Sequence, residues 1–242
     1  MLFAGVALVI LLVIGIRSCS SGSAVPDGVL DDASLSEKNP PGATVLTVIP
    51  TETVSFPFSL SQGIVLEQFY TSTGYFPEDG TEEDIENVLA VKLTNTSDKT
   101  LEYLTFTLNV NDINFKFAAT TIPAGKSVYV FNTERFAAPG SIISLESAVE
   151  YEIYFNEEPS TLPDILSCEI QNGSIVVKNI SEYDISSDIF IYYKVTADGG
   201  YLGGITYRLR VSGGLDAGET YNAYAPHAFI DKTEIMFAHY EE

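Results

Sequence analysis

Short runs of apolar residues, separated by polar turns, follow one another along most of the chain. They are rich in Val, Ile, Thr, Tyr and Phe, the residues that favour a pleated, half-buried surface. Asn111-Asp112 and Asn172-Gly173 are typical hairpin turns between such runs. The pattern predicts an all-β protein of the sandwich or barrel type and does not fit βαβ units.

One stretch of this pattern occurs twice. Val88–Asp98 and Ser174–Glu182 are each an apolar run with a lysine that ends in an Asn- and Ser-containing turn. A strand-like run and then a turn with an Ala-Gly pair follow each copy. We therefore predict two related β-modules with equivalent turns. The residues assigned to these structural turns are Asn95 and Gly125 in the first module and Asn179 and Gly218 in the second.

The repeat also predicts where the modules begin and end. Each copy closes on a similar run, Tyr151–Phe155 and then Thr233–Phe237, so that Ile153 corresponds to Ile235. Pro159 and Pro163 lie in the linker between the copies. The predicted organisation is an anchor or signal at 1–17, a tether at 18–43, module one at 44–158 and module two at 163–242.

An acidic stretch, Thr71–Asn87, separates two of the predicted strands. We expect a solvated loop with one helical turn at Thr81–Ile85. A calcium-binding loop is the alternative, because hard cations prefer carboxylate and carbonyl oxygens. The regular spacing of such a loop is missing, so no metal site is assigned. The calcium candidates are Glu78, Asp79, Glu82, Glu83 and Asp84.

The chain starts with an apolar segment, Met1–Ile16, followed by Arg17. At about 1.5 Å per residue, a helix of this length spans roughly 24 Å, against ~30 Å for a hydrocarbon core. The long side chain of Arg17 can extend to the interface. We predict an uncleaved membrane anchor. The alternatives are a lipoprotein signal, with Ile16–Cys19 as a degenerate lipobox and Cys19 as the lipidated residue, and a cleaved signal or a buried strand.

The segment Ser18–Gly42 is rich in Ser, Gly, Pro and Asp and has no apolar periodicity, which is typical of a flexible tether. It carries no Lys or Arg before Lys38, as a translocated segment would. Arg17 alone would favour the opposite orientation. We expect the modules to face outside at the cell membrane.

Composition supports a folded protein and argues against nucleic acid as a partner. Apolar residues make up 45% of the chain and charged residues 19%, which is enough apolar content to build a core. The net charge is −21, from 33 acidic and 12 basic residues. Binding nucleic acid requires Lys and Arg to neutralise phosphates. The charge otherwise favours solubility, with cation binding or a basic partner as the alternative.

Module two resembles a known family. Its strand end Val177-Lys178-Asn179 is followed by the aromatic run Phe190–Tyr193, by Asp198-Gly199 and by Ala217-Gly218-Glu219. This order is similar to FxLYD-type and related immunoglobulin-like β-sandwiches of secreted or anchored proteins of Gram-positive bacteria. Module one keeps Asn95-Thr96-Ser97 and Ala124-Gly125, with Asn111-Asp112 in place of Asp-Gly. The resemblance implies two tandem immunoglobulin-like sandwiches that are extracytoplasmic and non-catalytic, and it transfers no site residues.

The side chains on which catalysis depends are scarce. His227 and His239 are the two histidines, and each is expected to be a structural residue. The chain has no serine-nucleophile motif, no phosphate-binding loop and no paired Cys/His metal motif. Cys168 is expected to act as a small core residue. We therefore expect no catalytic residues, no cofactor and no enzyme activity.

Two functions fit the sequence. The first is a membrane-anchored extracytoplasmic β-sandwich protein with a binding or structural role, whose partner is a protein or a cell-envelope component. The alternative is a carboxylate-based hydrolase or sugar-binding protein that uses the cleft between the modules. Two carboxylates facing one pocket, at least one with a raised pKa, would favour the alternative. Carboxylates scattered over the surface would favour the first.

Overall fold

The computed structural model describes residues 44–80 and 83–241. These residues form fourteen β-strands and no helix, which confirms the all-β expectation for them. No membrane-spanning helix is therefore found in this part of the chain. The predicted anchor, the predicted tether, Cys19 and Glu82 lie outside the described residues.

In several of the strands up to Tyr154 the side chains alternate between the core and the outside. In one of them Leu104, Phe106 and Leu108 are buried, while Thr105 and Thr107 point to the opposite face. The strands are β1 (Val45–Val48), β2 (Phe58–Ser59), β3 (Ile64–Tyr75), β4 (Asp84–Asn95), β5 (Leu101–Val110), β6 (Ile113–Ile122), β7 (Ser127–Phe131) and β8 (Leu145–Tyr154).

The remaining strands follow the same rule, with Ile189, Ile191 and Tyr193 buried along one of them. They are β9 (Leu166–Gln171), β10 (Ser174–Asn179), β11 (Ile189–Ala197), β12 (Gly200–Val211), β13 (Thr220–Tyr224) and β14 (Thr233–Tyr240). We refer to β3–β8 as the first half and to β9–β14 as the second half.

The two halves pair their strands in the same order. In the first half β3 pairs with β4 and β4 with β7, while β5 pairs with both β6 and β8. In the second half β9 pairs with β10 and β10 with β13, while β11 pairs with both β12 and β14. Each half therefore has a three-strand group made of its first, second and fifth strands. A second group is made of its fourth, third and sixth strands.

One sheet runs through both halves. The first residues of β12 pair in parallel with β7, Tyr201 opposite Val128 and Leu202 opposite Tyr129. The resulting sheet has the order β1-β3-β4-β7-β12-β11-β14, with β2 paired to β3. Tyr201 and Met236 of the second half also pack into the hydrophobic core of the first half. All fourteen strands of the described residues belong to one compact unit.

The loop within the acidic stretch Thr71–Asn87 is shorter than the sequence predicts. Strand β3 continues to Tyr75 and β4 begins at Asp84, so both ends of Thr71–Asn87 are strand. Ile85 and Val88 of β4 are buried while Glu86 between them is exposed. The prediction was wrong there because charged residues on the outer face of a strand do not prevent it from forming.

The predicted alignment of the closing strands is also wrong. Ile153 pairs with Tyr103, near the start of β5. Ile235 instead pairs with Tyr193, in the middle of β11, and the start of β11 lies opposite Tyr240. The similar residues of the two closing strands therefore occupy different registers.

Candidate functional site

The junction between the two halves contains two ionisable side chains on opposite sides of one backbone segment. Glu78 follows β3, and its carboxylate accepts hydrogen bonds from the N–H groups of Phe131 at 2.8 Å, Gly204 at 2.8 and 2.9 Å, and Ile205 at 3.2 Å. Glu78 therefore joins the loop after β3 to β7 and to β12.

Lys194 lies in β11 and has no exposed surface. Its Nζ donates to the carbonyl oxygens of Gly204 and Ile205 at 2.8 Å each and of Gly203 at 3.4 Å. Since an ammonium group has three protons and no lone pair, these three acceptors suit the charged form. Glu78 and Lys194 thus satisfy the two sides of the same segment, Gly203–Ile205. We call them the junction pair.

A bulge in β12 creates the need for both side chains. The pairing of β11 with β12 shifts between Tyr193 and Val195, which frees backbone groups of Gly203–Ile205 from the ladder. Buried backbone groups must find other partners. At Gly204 a Cβ atom would lie 2.1 Å from the carbonyl oxygen of Ala118, so only glycine lets β12 pass this close to β6.

Burial and mutual attraction act in opposite directions on the junction pair. Burial raises the pKa of the Glu78 carboxyl, while the bonds from Gly204 and Phe131 and the charge of Lys194 lower it. Burial lowers the pKa of the Lys194 ammonium, and the charge of Glu78 raises it. Each charge is therefore held in place by the other and by the bulge.

A cluster of aromatic side chains lies beside the junction pair. The hydroxyl of Tyr75 is 3.0 Å from that of Tyr207 and 3.1 Å from Nδ1 of His227. The Tyr207 hydroxyl lies 3.0 Å from the carbonyl oxygen of Pro77, to which it donates, and its ring stacks on His227 with centroids 4.6 Å apart. Burial raises the pKa of Tyr207, so it stays a neutral donor. The cluster binds the loop after β3 to the second half.

Neither Glu78 nor Lys194 lines the surface cavities of the described residues. One cavity, of ≈ 390 Å³, lies between the halves, with Tyr75 of the first half and Val195 and Leu202 of the second among its lining residues. Another, of ≈ 510 Å³, contains Asp98, Lys99 and Glu152 among its lining residues. Oε1 of Glu152 accepts from Ser61 Oγ at 2.9 Å and from Tyr154 Oη at 2.7 Å. This cavity belongs to the first half and does not lie between the halves.

The calcium candidates do not converge on one point. The carboxylate of Glu78 is bonded to backbone N–H groups, and Asp79 and Glu83 both pair with Arg135, Glu83 at 2.8 Å. Asp84 is exposed at the start of β4. In the described part of the chain, no group of three or more His, Cys, Asp or Glu side chains is arranged to hold a metal ion.

The four predicted turn residues occupy matching hydrogen-bond patterns. Asn95 is buried, and its Nδ2 donates to the carbonyl oxygens of Lys99 at 2.9 Å and Ile122 at 2.7 Å. Its backbone carbonyl accepts from Gly125 at 2.8 Å, and its Oδ1 accepts from the N–H and Oγ of Ser97. The buried Asn95 thus links the β4–β5 connection to the β6–β7 connection of the first half.

Asn179 makes the same bonds in the second half. Its Nδ2 donates to the carbonyl oxygens of Tyr183 at 2.8 Å and Leu215 at 3.1 Å, and its backbone carbonyl accepts from Gly218 at 3.0 Å. Ser181 bonds to its Oδ1 through both N–H and Oγ. Gly125 and Gly218 both have positive φ, 73° and 80°. The structure therefore places these residues in equivalent turns.

Cys168, His227 and His239 were each expected to be structural residues, and their surroundings are as follows. Cys168 borders the hydrophobic core of the second half, and burial raises the pKa of its thiol to about 11. His239 lies on β14 opposite Phe190 and is exposed. His227 lies in the loop after β13 and joins the aromatic cluster described above.

Lys194, Gly204 and Tyr207 were not predicted as site residues from the sequence. Glu78 was expected in a solvated loop, and it does lie in a loop, but its carboxylate is bonded to backbone N–H groups of β7 and β12. One signal was available, because Lys194 interrupts the apolar and aromatic run of β11. A lysine in such a run is rarely buried unless it has a partner. The partner itself could not be found from the sequence.

No known protein family, no characterised protein and no solved structure matches this chain.

Proposed function

We propose that the protein is a membrane-anchored, extracytoplasmic β-sandwich protein with a binding or structural role, built from two tandem immunoglobulin-like modules. The apolar Met1–Ile16 would hold it at the membrane, and the tether would hold the modules away from it. The repeated strand pairing and the repeated Asn turns support two copies of one module.

One observation carries the non-catalytic part of this proposal. In the described residues, the charged side chains at the junction bond to main-chain groups that join the halves, and they do not line the cavities noted above. Groups with shifted pKa values occur both at catalytic sites and in structural networks. Here their bonds go to Gly204 and Ile205, as a structural role requires.

Fractionation of cells tests the membrane part. The full chain is expected in the membrane fraction, and a chain lacking Met1–Ser23 is expected in the soluble fraction, because the apolar segment supplies the attachment. A Cys19→Ala variant separates the two forms of attachment: it stays membrane-bound with an uncleaved anchor and is released if Cys19 carries a lipid. A wholly soluble full chain would overturn the proposal.

A hydrolase or sugar-binding protein is the second candidate, and one observation favours it. Asp98 and Glu152 line the same cavity, together with Tyr154. Isothermal titration of the protein with cell-wall oligosaccharides tests this candidate. Binding that is lost in Glu152→Gln would support it, and no heat with wild-type protein would reject it.

A further inference from the structure

Strand β13 in the second half corresponds to β7 in the first. Each is the fifth strand of its half and pairs with the strand that carries the Asn turn. The registers agree as well: Ser127 lies opposite Thr94, the residue before Asn95, and Thr220 lies opposite Lys178, the residue before Asn179. Val128 therefore corresponds to Tyr221.

The outer edge of β7 is already an interface. It receives the first residues of β12, which follow the tip of the β11–β12 hairpin, and the pairing is parallel. The Tyr129 hydroxyl adds a hydrogen bond of 3.0 Å to the carbonyl oxygen of Asp198 in that hairpin tip. An edge of this kind thus accepts the start of the second strand of a hairpin.

The corresponding edge of β13 has no strand paired to it in the described residues. Its sequence, Thr220–Tyr224, contains no charged residue and no proline, and the exposed fractions of Tyr221 and Tyr224 are 47% and 76%. Proteins usually protect edge strands with charges, proline or bulges. The edge strand β8, for example, carries three glutamates. The edge of β13 lacks that protection.

We propose that β13 of one molecule pairs with β6 of a second copy of this chain, head to tail. Strand β6 corresponds to β12, since each is the second strand of its hairpin, with Ile113 opposite Val110 and Gly200 opposite Ala197. By this correspondence Asn114 lies where Tyr201 lies in β12, and it faces Tyr221 of the other copy. Ile113 and Asn114 are exposed. The inference rests on the proposed structural role of the modules.

The contact is short, as the β7–β12 pairing is. Lys116 of β6 already accepts a hydrogen bond from the N–H of Thr133, which leaves the start of β6 for the second copy.

The contact is also weaker than the junction within one molecule. The second half has no counterpart of Glu78, because β9 and β10 are joined directly by Asn172-Gly173. The net charge of −21 also repels copies from one another. Assembly therefore requires high local concentration or screening by salt.

A head-to-tail contact that does not close into a ring generates an open chain of molecules. Each molecule uses two different edges, β13 and β6, so both remain available at the ends of the chain. This distinguishes the proposal from a symmetric dimer, in which β13 would pair with β13 of the partner.

Cysteine cross-linking of the full chain in detergent at high salt tests the proposal. The variant carrying both Asn114→Cys and Tyr221→Cys is expected to give a ladder of disulfide-linked dimers, trimers and longer species on a non-reducing gel. Each single variant is expected to give only the background that wild type shows through its own cysteines. The matched control is Asn114→Cys with Tyr151→Cys, since Tyr151 is exposed on β8 at 61%.

Three results would overturn the proposal. They are no increase over wild type in the double variant, an equal ladder in the control, and efficient dimers from Tyr221→Cys alone, which would show the symmetric contact. A negative result leaves the membrane fractionation unaffected, so failure of the assembly is distinguishable from failure of the proposed function.

Discussion

Lys194 and Glu78 show at the scale of single residues why a folded protein keeps ionisable groups inside. Removing ions from water is costly, and the cost is offset only when hydrogen bonds and an opposite charge are well placed. Here each side chain bonds to backbone groups that the β12 bulge leaves without ladder partners. If either side chain lost its charge, the other would remain charged at a site that no longer contains an opposite charge.

We predict that Glu78→Gln and Lys194→Met each destabilise the protein by about 3 kcal/mol, since losing either partner leaves the buried charge of Lys194 or several backbone groups uncompensated. Urea unfolding of chain 40–242 measures the change. Glu102→Gln is the matched control, because Glu102 is exposed on β5, and it is expected to change stability by less than about 0.5 kcal/mol. A loss below about 1 kcal/mol in both junction variants would contradict the account.

The two junction variants should also differ in their response to pH. In Glu78→Gln, Lys194 keeps a pKa lowered by burial, so the unfolded chain binds more protons and stability rises as pH increases from 7 towards 10. In Lys194→Met, Glu78 keeps a raised pKa, so the folded chain binds more protons and stability rises as pH falls from 7 towards about 4.

Urea unfolding of both variants between about pH 4 and 10, each relative to Glu102→Gln, measures how the free energy of unfolding changes with pH. The subtraction removes the titration of all groups that the variants share. Slopes of equal sign would show that the two side chains do not carry the charges assigned to them.

At the scale of single residues, sequence reasoning identified what is local and missed what is distant. Asn95 and Gly125 could be assigned to a turn because an Asn side chain bonds nearby backbone and Gly tolerates positive φ. Glu78 and Lys194 lie in different halves of the chain, and only the fold brings them to the same bulge. A short sequence motif cannot show that two residues so far apart in the chain are close in the fold.

The Asn turns are the elements that repeat most closely between the halves. Both join a strand end, the following connection and the turn before the fifth strand through a single buried amide. These bonds recur at two places with different flanking residues, so the turn is a structural feature that the two halves share.

We predict that Gly125→Val and Gly218→Val each cost about 1–2 kcal/mol, because a β-branched residue resists the left-handed backbone that both positions require. Space is not the cause, since no atom lies within 4 Å of a Cβ built at either position. Gly140→Val is the control, as Gly140 is exposed, equally open and has no positive φ. Thermal unfolding measures all three, and equal stability of the variants and the control would contradict the assignment.

At the scale of elements, the registers of the closing strands could not be predicted from the sequence. Tyr151–Phe155 and Thr233–Phe237 look alike, yet they pair at different points of β5 and β11. The side-chain pattern of a strand repeats every second residue, so similar short runs fit several registers. Only the partner strand selects one of them.

On the scale of the whole molecule, the shared sheet decides how the halves relate. A segment as short as the second half has little room for a hydrophobic core of its own and gains stability from support by the rest of the chain. The structure provides that support through the β7–β12 pairing, through Tyr201 in the core of the first half and through the junction pair. The sequence could indicate two modules from the repeat, but the docking depends on the bulge and on Glu78, which have no counterpart in the other half.

Scanning calorimetry of chain 40–242 tests most directly whether the junction makes the two halves one cooperative unit. The account predicts a single transition in which the calorimetric and van't Hoff enthalpies agree, because neither half can unfold without breaking the shared sheet and leaving Lys194 uncompensated. Two resolved transitions in the wild-type protein, one for each half, would contradict it.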